Sequence, residues 1–156
     1  MRDLGISRCN VYMYKRGHYR VRISSKNLYE KIVHEFGHPL GSKGRRLPWP
    51  TPKPIKEATF DLRLEYIKGF VDAEGSIIKS SKGIQIDISQ AIREPLEFIE
   101  RTLRSAGISA SGIYLGSDGI WRLRISSRKS LSKFAEIVGF RHPCKSRKLR
   151  LLLLQS

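Results

Sequence analysis

The sequence repeats itself at a fixed spacing, and that repeat limits the folds open to it. Gly5-Ile6-Ser7, Val11-Tyr12, Gly17 and Tyr19-Arg20-Val21-Arg22-Ile23-Ser24-Ser25 recur as Gly107-Ile108-Ser109, Ile113-Tyr114, Gly119 and Trp121-Arg122-Leu123-Arg124-Ile125-Ser126-Ser127, each 102 residues later with no gap. Farther on, Phe36-Gly37-His38-Pro39 and a basic run recur, with a small shift, as Gly139-Phe140-Arg141-His142-Pro143 and a basic run. The chain therefore holds two copies of one supersecondary unit, with pseudo-two-fold symmetry as the expected result. In each copy apolar and arginine positions alternate: Tyr19, Val21 and Ile23 against Arg20 and Arg22, then Trp121, Leu123 and Ile125 against Arg122 and Arg124. Period-two alternation places one face of a strand on a core and the other toward solvent or a partner. With Gly17 and Gly119 in the turns, and amphipathic stretches at Asn27–Phe36 and Lys129–Val138, each copy reads strand, turn, strand, helix.

Between the copies lies Pro48-Trp49-Pro50-Thr51-Pro52-Lys53-Pro54. Alternate prolines oppose helix and favour an extended, semi-rigid connector. The expected organisation is a partial repeat lobe at 1–47, a Pro-rich linker at 48–58 and a complete lobe at 59–156. The second lobe has elements that the first lacks. Asp61 is placed to cap a helix from Leu62 to about Ala73, with Gly75 ending it. Ser76–Lys79 and Ile84–Gln90 read as a hairpin in which Ile84, Ile86 and Ile88 face inward and Gln85, Asp87 and Ser89 outward. Pro95 suits a helix first turn, Leu96, Ile99 and Leu103 form its stripe, and Gly107 stops it. The fold class is α+β, an αββαββα unit with an antiparallel sheet, preceded by a partial ββα repeat.

Charge narrows the partner. The chain has 156 residues, with 30 Lys and Arg against 14 Asp and Glu, a formal net charge of +16 spread along its length. A folded basic protein calls for a polyanion, with nucleic acid ahead of a membrane surface. No apolar run reaches the roughly 18 residues of a membrane span, and Met1-Arg2-Asp3-Leu4-Gly5 has no apolar signal core. Cys9 and Cys144 make neither a disulfide framework nor metal spacing. Scarce Asn and Gln beside abundant Lys and Arg point to a hot habitat. The expected setting is cytoplasmic, in a prokaryotic or archaeal cell. His34-Glu35-Phe36-Gly37-His38 fits H-E-x-x-H, but that zinc pattern needs an uninterrupted helical face, and Gly37 and Pro39 break it.

The helix before Gly75 carries the chemistry. Gly69 in mid-helix costs about 1 kcal/mol against Ala. With Ala73 four residues on, it leaves a flat stripe on which another helix can lie close. Asp72 and Glu74 stand at the helix end, and two such helices side by side would bring their terminal acids together. That arrangement needs a bridging cation. Mg²⁺, which takes carboxylate, water and phosphate oxygens, suits it, and metal-assisted phosphodiester hydrolysis is the matching reaction.

Ile67-Lys68-Gly69-Phe70-Val71-Asp72-Ala73-Glu74-Gly75 resembles the motif of the LAGLIDADG homing endonucleases, matching at the Gly, the first Asp, the Ala and the final Gly, and Ser76-Ile77-Ile78 directly after it is also typical. The resemblance covers Asp61 to the C-terminus as a full unit and residues 5–49 as a partial one. It implies an intron- or intein-encoded endodeoxyribonuclease that cuts double-stranded DNA with Mg²⁺, using one acid from each of two motif helices. Carried over residue by residue, Glu74 and the Ala73 carbonyl would bind metal, and Gln90 would order water. Lys145 would stabilise developing charge, with Lys43 as its first-lobe counterpart. Base reading in the major groove would fall to Ser80, Lys82, Gln85, Asp87, Ser89, Tyr114, Arg122 and Arg124, joined by Tyr12, Tyr14, Arg20 and Arg22. Gly69 and Ala73 would form the helix interface. Residues 1–60 contain no motif helix, so one chain supplies one acid. A second copy pairing through the Leu62–Ala73 helix, or a companion chain, would complete the site. A DNA- or RNA-binding maturase or regulator of the same fold, without cleavage, is the alternative.

Overall fold

The computed structural model describes residues 9–16, 18–38, 49–81 and 83–155. The chain divides into two compact units, Met1–Arg45 and Arg46–Ser156.

In the first unit, β1 (Cys9–Lys15) and β2 (His18–Ile23) form an antiparallel pair with Tyr12 opposite Arg20 and Asn10 opposite Arg22. Helix α1 (Lys26–Glu30) follows, started by Ser25, whose side chain accepts from the Leu28 N–H. It runs on as a π-helical turn over Lys31–Glu35, a local widening that the amphipathic pattern did not announce. Gly37, at φ 65°, ends it. His34 and His38 therefore do not share one continuous helix, and among the described residues no group of three or more His, Cys, Asp or Glu could hold a metal. No residue of this helical stretch is buried.

The second unit has four antiparallel strands in the order β3-β4-β6-β5: β3 (Gly75–Ser80), β4 (Gly83–Gln90), β5 (Ile113–Leu115) and β6 (Trp121–Ile125). Ile77, Ile86, Ile88, Leu123 and Ile125 turn into one core. They meet Leu64, Ile67 and Val71 of α3 (Phe60–Glu74), Leu96, Ile99 and Leu103 of α4 (Glu94–Ser105), Leu131 and Phe134 of α5 (Arg128–Ile137), and Leu149 and Leu152 of α6 (Pro143–Leu154). Each such side chain contributes about 1.5–3 kcal/mol on burial. The expected αββαββα order and hairpin registers are present, with α6 added after them. Pro143 sits in the first turn of α6, where its missing N–H is harmless.

Two local expectations are corrected. Helix α3 begins at Phe60 with Thr59 as its N-cap, so Asp61 lies inside the first turn, where its charge favours the helix dipole. The proline-rich connector is not extended throughout, because Lys53–Lys56 form a single helical turn, α2. Pro54 falls in the first turn, the one place where helix tolerates it. Thr51 and Pro52 are buried, and Glu94 fastens the segment: its Oε2 accepts from the Thr51 N–H at 2.6 Å and its Oε1 pairs with Lys56 at 2.7 Å. Burial works against the Glu94 charge, but Lys56 and the Thr51 N–H outweigh it and hold the carboxyl below its ordinary value. Gly37 and Gly139, 102 residues apart, share the left-handed conformation at φ 65° and 63°, while the His-Pro pairs after them lie 104 apart.

Candidate nucleic-acid interface and acidic helix end

The outer face of the four-stranded sheet follows from strand alternation. With Ile86, Ile88, Leu123 and Ile125 facing the core, Gln85, Asp87 and Ser89 of β4 and Arg122 and Arg124 of β6 share the opposite face. Tyr114 stands beside Arg122 across β5 and β6, and Ser80 pairs with Gly83 at the hairpin end. These predicted positions are brought together. Tyr12 stands beside Arg20 in the first unit in the same register as Tyr114 beside Arg122. Tyr14 and Arg22 lie on β1 and β2. Lys43 and Lys82 lie outside the described residues.

The arginines are not the bare cationic stripe that alternation alone implies. Arg124 grips Asp87 with two bonds, Nε to Oδ1 and Nη2 to Oδ2, both 2.8 Å. Its Nη2 also donates to the Tyr114 hydroxyl at 2.6 Å, and its guanidinium carbon lies 5.3 Å from the Tyr114 ring centroid. Asp87 is buried beneath this contact, with both carboxylate oxygens engaged. The Gln85 carbonyl oxygen, in the amide orientation that satisfies both of its ends, accepts from the same guanidinium at 3.2 and 3.3 Å. Arg122 forms a second fork, with Nη1 on Asp118 Oδ1 at 2.9 Å and Nη2 on Oδ2 at 2.6 Å. The Arg122 hydrogen bonds hold the Asp118 carboxyl down to about 2. Sequence reading missed Asp118, although its spacing four residues before Arg122 across a glycine turn was the available signal.

At the far end of α3 the packing is tight. Gly75 passes directly from helix to strand at φ −85°, so its backbone would suit any residue. Space is what requires glycine there, since a Cβ would meet the Val71 carbonyl oxygen at 2.5 Å and Phe140 Cε1 at 3.1 Å. Asp72 turns to α6, its Oδ1 accepting at 3.1 Å from the backbone N–H of His142, the N-cap residue of that helix. Lys145 Nζ donates to the Asp72 carbonyl at 2.6 Å and lies 5.7 Å from the Phe140 ring centroid. Lys148 Nζ donates to the Ile77 carbonyl at 2.7 Å. Two lysines of α6 thus bracket the Glu74–Gly75 corner. The sequence pattern pointed to neither of the contacts made by Asp72 and Lys148.

Glu74 points elsewhere. It is exposed and lines a groove of about 530 Å³ with Gln90, Ala73, Gly69, Phe70 and Tyr66. Gln90 accepts from the Ala91 N–H at 2.6 Å through Oε1, which leaves its amide N–H₂ to donate. Burial and then the nearby Glu94 charge push the Tyr66 hydroxyl above its ordinary value, so it stays a neutral donor. The residue that explains this groove is Gly69. Nothing among the described residues lies within 4 Å of where its Cβ would stand, so no contact with them calls for a glycine there. On the same helix Leu62 is exposed as well. The Glu74 carboxylate and the Ala73 carbonyl are hard oxygen donors of the kind that Mg²⁺ and its relatives accept. They fit a divalent cation as one half of a donor set.

Comparison with known proteins agrees with this architecture. Residues 61–139 match the family model of the LAGLIDADG-like domain. Over 153 residues the chain is 58% identical to Homing endonuclease I-ApeI of Aeropyrum pernix, covering 98% of this chain and 69% of that protein. Among solved structures, I-DmoI in complex with DNA and Mn superimposes with a TM-score of 0.63 at 22% identity, over 90% of this chain and 68% of that one. Full-length DUF199/WhiA from Thermatoga maritima shares the fold at TM-score 0.53 and 17% identity, over 96% of this chain and 44% of that one. No helix among the described residues is long and apolar enough to cross a membrane.

Proposed function

The chain belongs to the LAGLIDADG-like family, and on that premise we propose that it is a homing endonuclease, hydrolysing phosphodiester bonds of double-stranded DNA at a specific site with a divalent metal, Mg²⁺ in the cell. The observation that carries this reading is the exposed Glu74 carboxylate at the end of a helix whose Gly69 is left open for a neighbour.

In this reading the polar sheet face seats the duplex, and Tyr114, Arg122, Arg124 and Ser89 contact base edges and phosphates. Glu74 and the Ala73 carbonyl hold the cation, which when bound supplies Lewis-acid activation of phosphate and water. Gln90 orients water through its free amide N–H₂. Lys145, fixed by the Asp72 carbonyl, presents its remaining N–H bonds to developing negative charge. Lys43, the counterpart of Lys145 one repeat earlier in the sequence, would take the same part. A second motif helix, from a second copy or a companion chain, lies on the Leu62–Gly69–Ala73 stripe and brings the second acid. The apolar positions of the first unit favour the companion, because Val21, Ile23 and Ile32 are exposed where their repeats Leu123, Ile125 and Phe134 are covered by αββα elements.

The test is selection of cut ends from a pool of duplexes incubated with the protein and Mg²⁺ or Mn²⁺, comparing wild type with Glu74→Gln. A loss of about a hundred- to a thousandfold in the variant, a size typical of removing one key electrostatic group, is the expected result. Equal cutting by both proteins would falsify the assignment. Among the described residues only one acid stands at a motif-helix end, and that observation favours a second reading, a binding-only maturase or regulator. It predicts salt-sensitive binding with no metal-dependent cuts.

A further inference from the structure

The turn between β5 and β6 is built around a guanidinium. Gly116 and Ile120 close it, with the Gly116 N–H donating to the Ile120 carbonyl at 2.9 Å and the Gly119 N–H to the Gly116 carbonyl at 3.0 Å. Gly119 takes φ 73°, the left-handed conformation the turn requires. Asp118 braces the turn by accepting from the Ile120 N–H at 3.2 Å while its two oxygens hold Arg122. A Cβ on Gly116 would collide with the Arg122 guanidinium and crowd Asp118 Oδ1, so the bare glycine makes room for the fork. The contact remains solvent-accessible, since the Asp118 side chain is 52% exposed and that of Arg122 is 26% exposed. Both partners of the fork stay within reach of solvent, so a partner with paired acceptors can exchange for the carboxylate.

The repeat supplies the contrast. The residue 102 positions before Asp118 is Arg16, in the β1–β2 turn and four before Arg20. A fork-holding carboxylate at this place is therefore a feature of the second copy and not of the hairpin as such.

Resting on the reading that this sheet face contacts DNA, we propose that Asp118 is a specificity-determining residue. It neutralises Arg122 and repels the backbone of a wrong duplex, and it yields the guanidinium only where paired acceptors, such as guanine O6 and N7, replace its two oxygens. The chemistry is a competition. A protein with net charge +16 grips any duplex through phosphates. An arginine already satisfied by a bidentate acid adds little to that grip. It still accepts a bidentate base edge, the commonest specific contact in the major groove. Discrimination then comes from penalising the wrong partner as much as from rewarding the right one.

The experiment uses the full chain and a 30-base-pair duplex of random sequence, with the dissociation constant measured from 50 to 300 mM KCl. Asp118→Asn is expected to tighten binding about three- to tenfold at 150 mM and to steepen the salt slope by about 0.9, one added phosphate contact. Glu136→Gln, the same charge change on the exposed side of α5, is expected to do less. Arg122→Ala combined with Asp118→Asn is expected to remove the gain. Gly116→Ala, which displaces the guanidinium without touching charge, is expected to tighten binding as well. If Asp118→Asn matches Glu136→Gln, or if the double variant keeps the gain, the guard is wrong while DNA binding stands. Binding by the wild type without salt dependence would overturn the guard and the DNA-binding reading together.

Discussion

The two units contain the same strand-turn-strand-helix in the same register, yet among the described residues only the second buries a core. Tyr12 faces Arg20 as Tyr114 faces Arg122. Ser25 caps α1 through the Leu28 N–H as Ser127 caps α5 through the Ser130 N–H, at 3.2 Å in both. The resemblance ends at burial. Val21 and Ile23 are 59% and 42% exposed, whereas Leu123 and Ile125 are both at 0%. Local sequence is enough to specify turns, caps and pairing. Stability comes from what covers the apolar face, and in the second unit β3 and β4 widen the sheet while α3 and α4 pack on it. The same contrast explains the π-helical turn. Phe134 anchors α5 in the core, while among the described residues α1 and its continuation bury no side chain that would hold them to regular geometry.

Hydrogen exchange would expose the difference most strongly. Amides of β4 and β6 should exchange at the rate of global opening, which lies about 5–15 kcal/mol uphill for ordinary domains. Those of β1 and β2 should exchange at least about a thousandfold faster. Equal protection would mean that the first unit has a cover of its own. Addition of a companion αββα polypeptide that slowed exchange in β1 and β2 would sharpen the comparison into an assembly assay.

Paired core substitutions give a smaller effect. Leu123→Ala should cost about 2–5 kcal/mol in urea unfolding. Its repeat, Val21→Ala, should stay within about 0.5 kcal/mol, as exposed sites do. A large loss at Val21 would show that its face is covered in solution. The smallest effect is also the most symmetrical. Ser25→Ala and Ser127→Ala should each weaken their own helix by about 1 kcal/mol, read as helix content for α1 and as unfolding free energy for α5. A cap acts locally, so the two values should agree although the surroundings do not.

The hairpins, the motif helix and the αββαββα order were legible because alternation, glycine turns and the 102-residue repeat report which side of an element faces a core. They do not report lateral neighbours. Arg122 and Arg124 read as a free cationic stripe, and only three-dimensional placement shows Asp87 and Asp118 holding them. Asp87 is 37 residues from its partner, a distance at which period carries no information. Helix α6 was hidden in a basic run, because its buried Leu149 and Leu152 fall among cations. Asp61 looked like the cap because it precedes an apolar stripe, yet Thr59 begins the helix two residues sooner. At the candidate site Glu74 and Gln90 were legible through the motif, and both line the groove. The bracing of that corner by Lys145, Lys148 and Asp72 depends on α6 folding back onto α3, which spacing alone does not disclose.

Helix α3 ends at Glu74 and strand β3 begins at Gly75, with no intervening residue. A single peptide link therefore joins the acidic side chain to the surface that would cradle the double helix. For a nuclease assembled on this plan, the step from recognised base to severed bond is a fixed ruler, set by covalent geometry and not by the reach of a wandering loop.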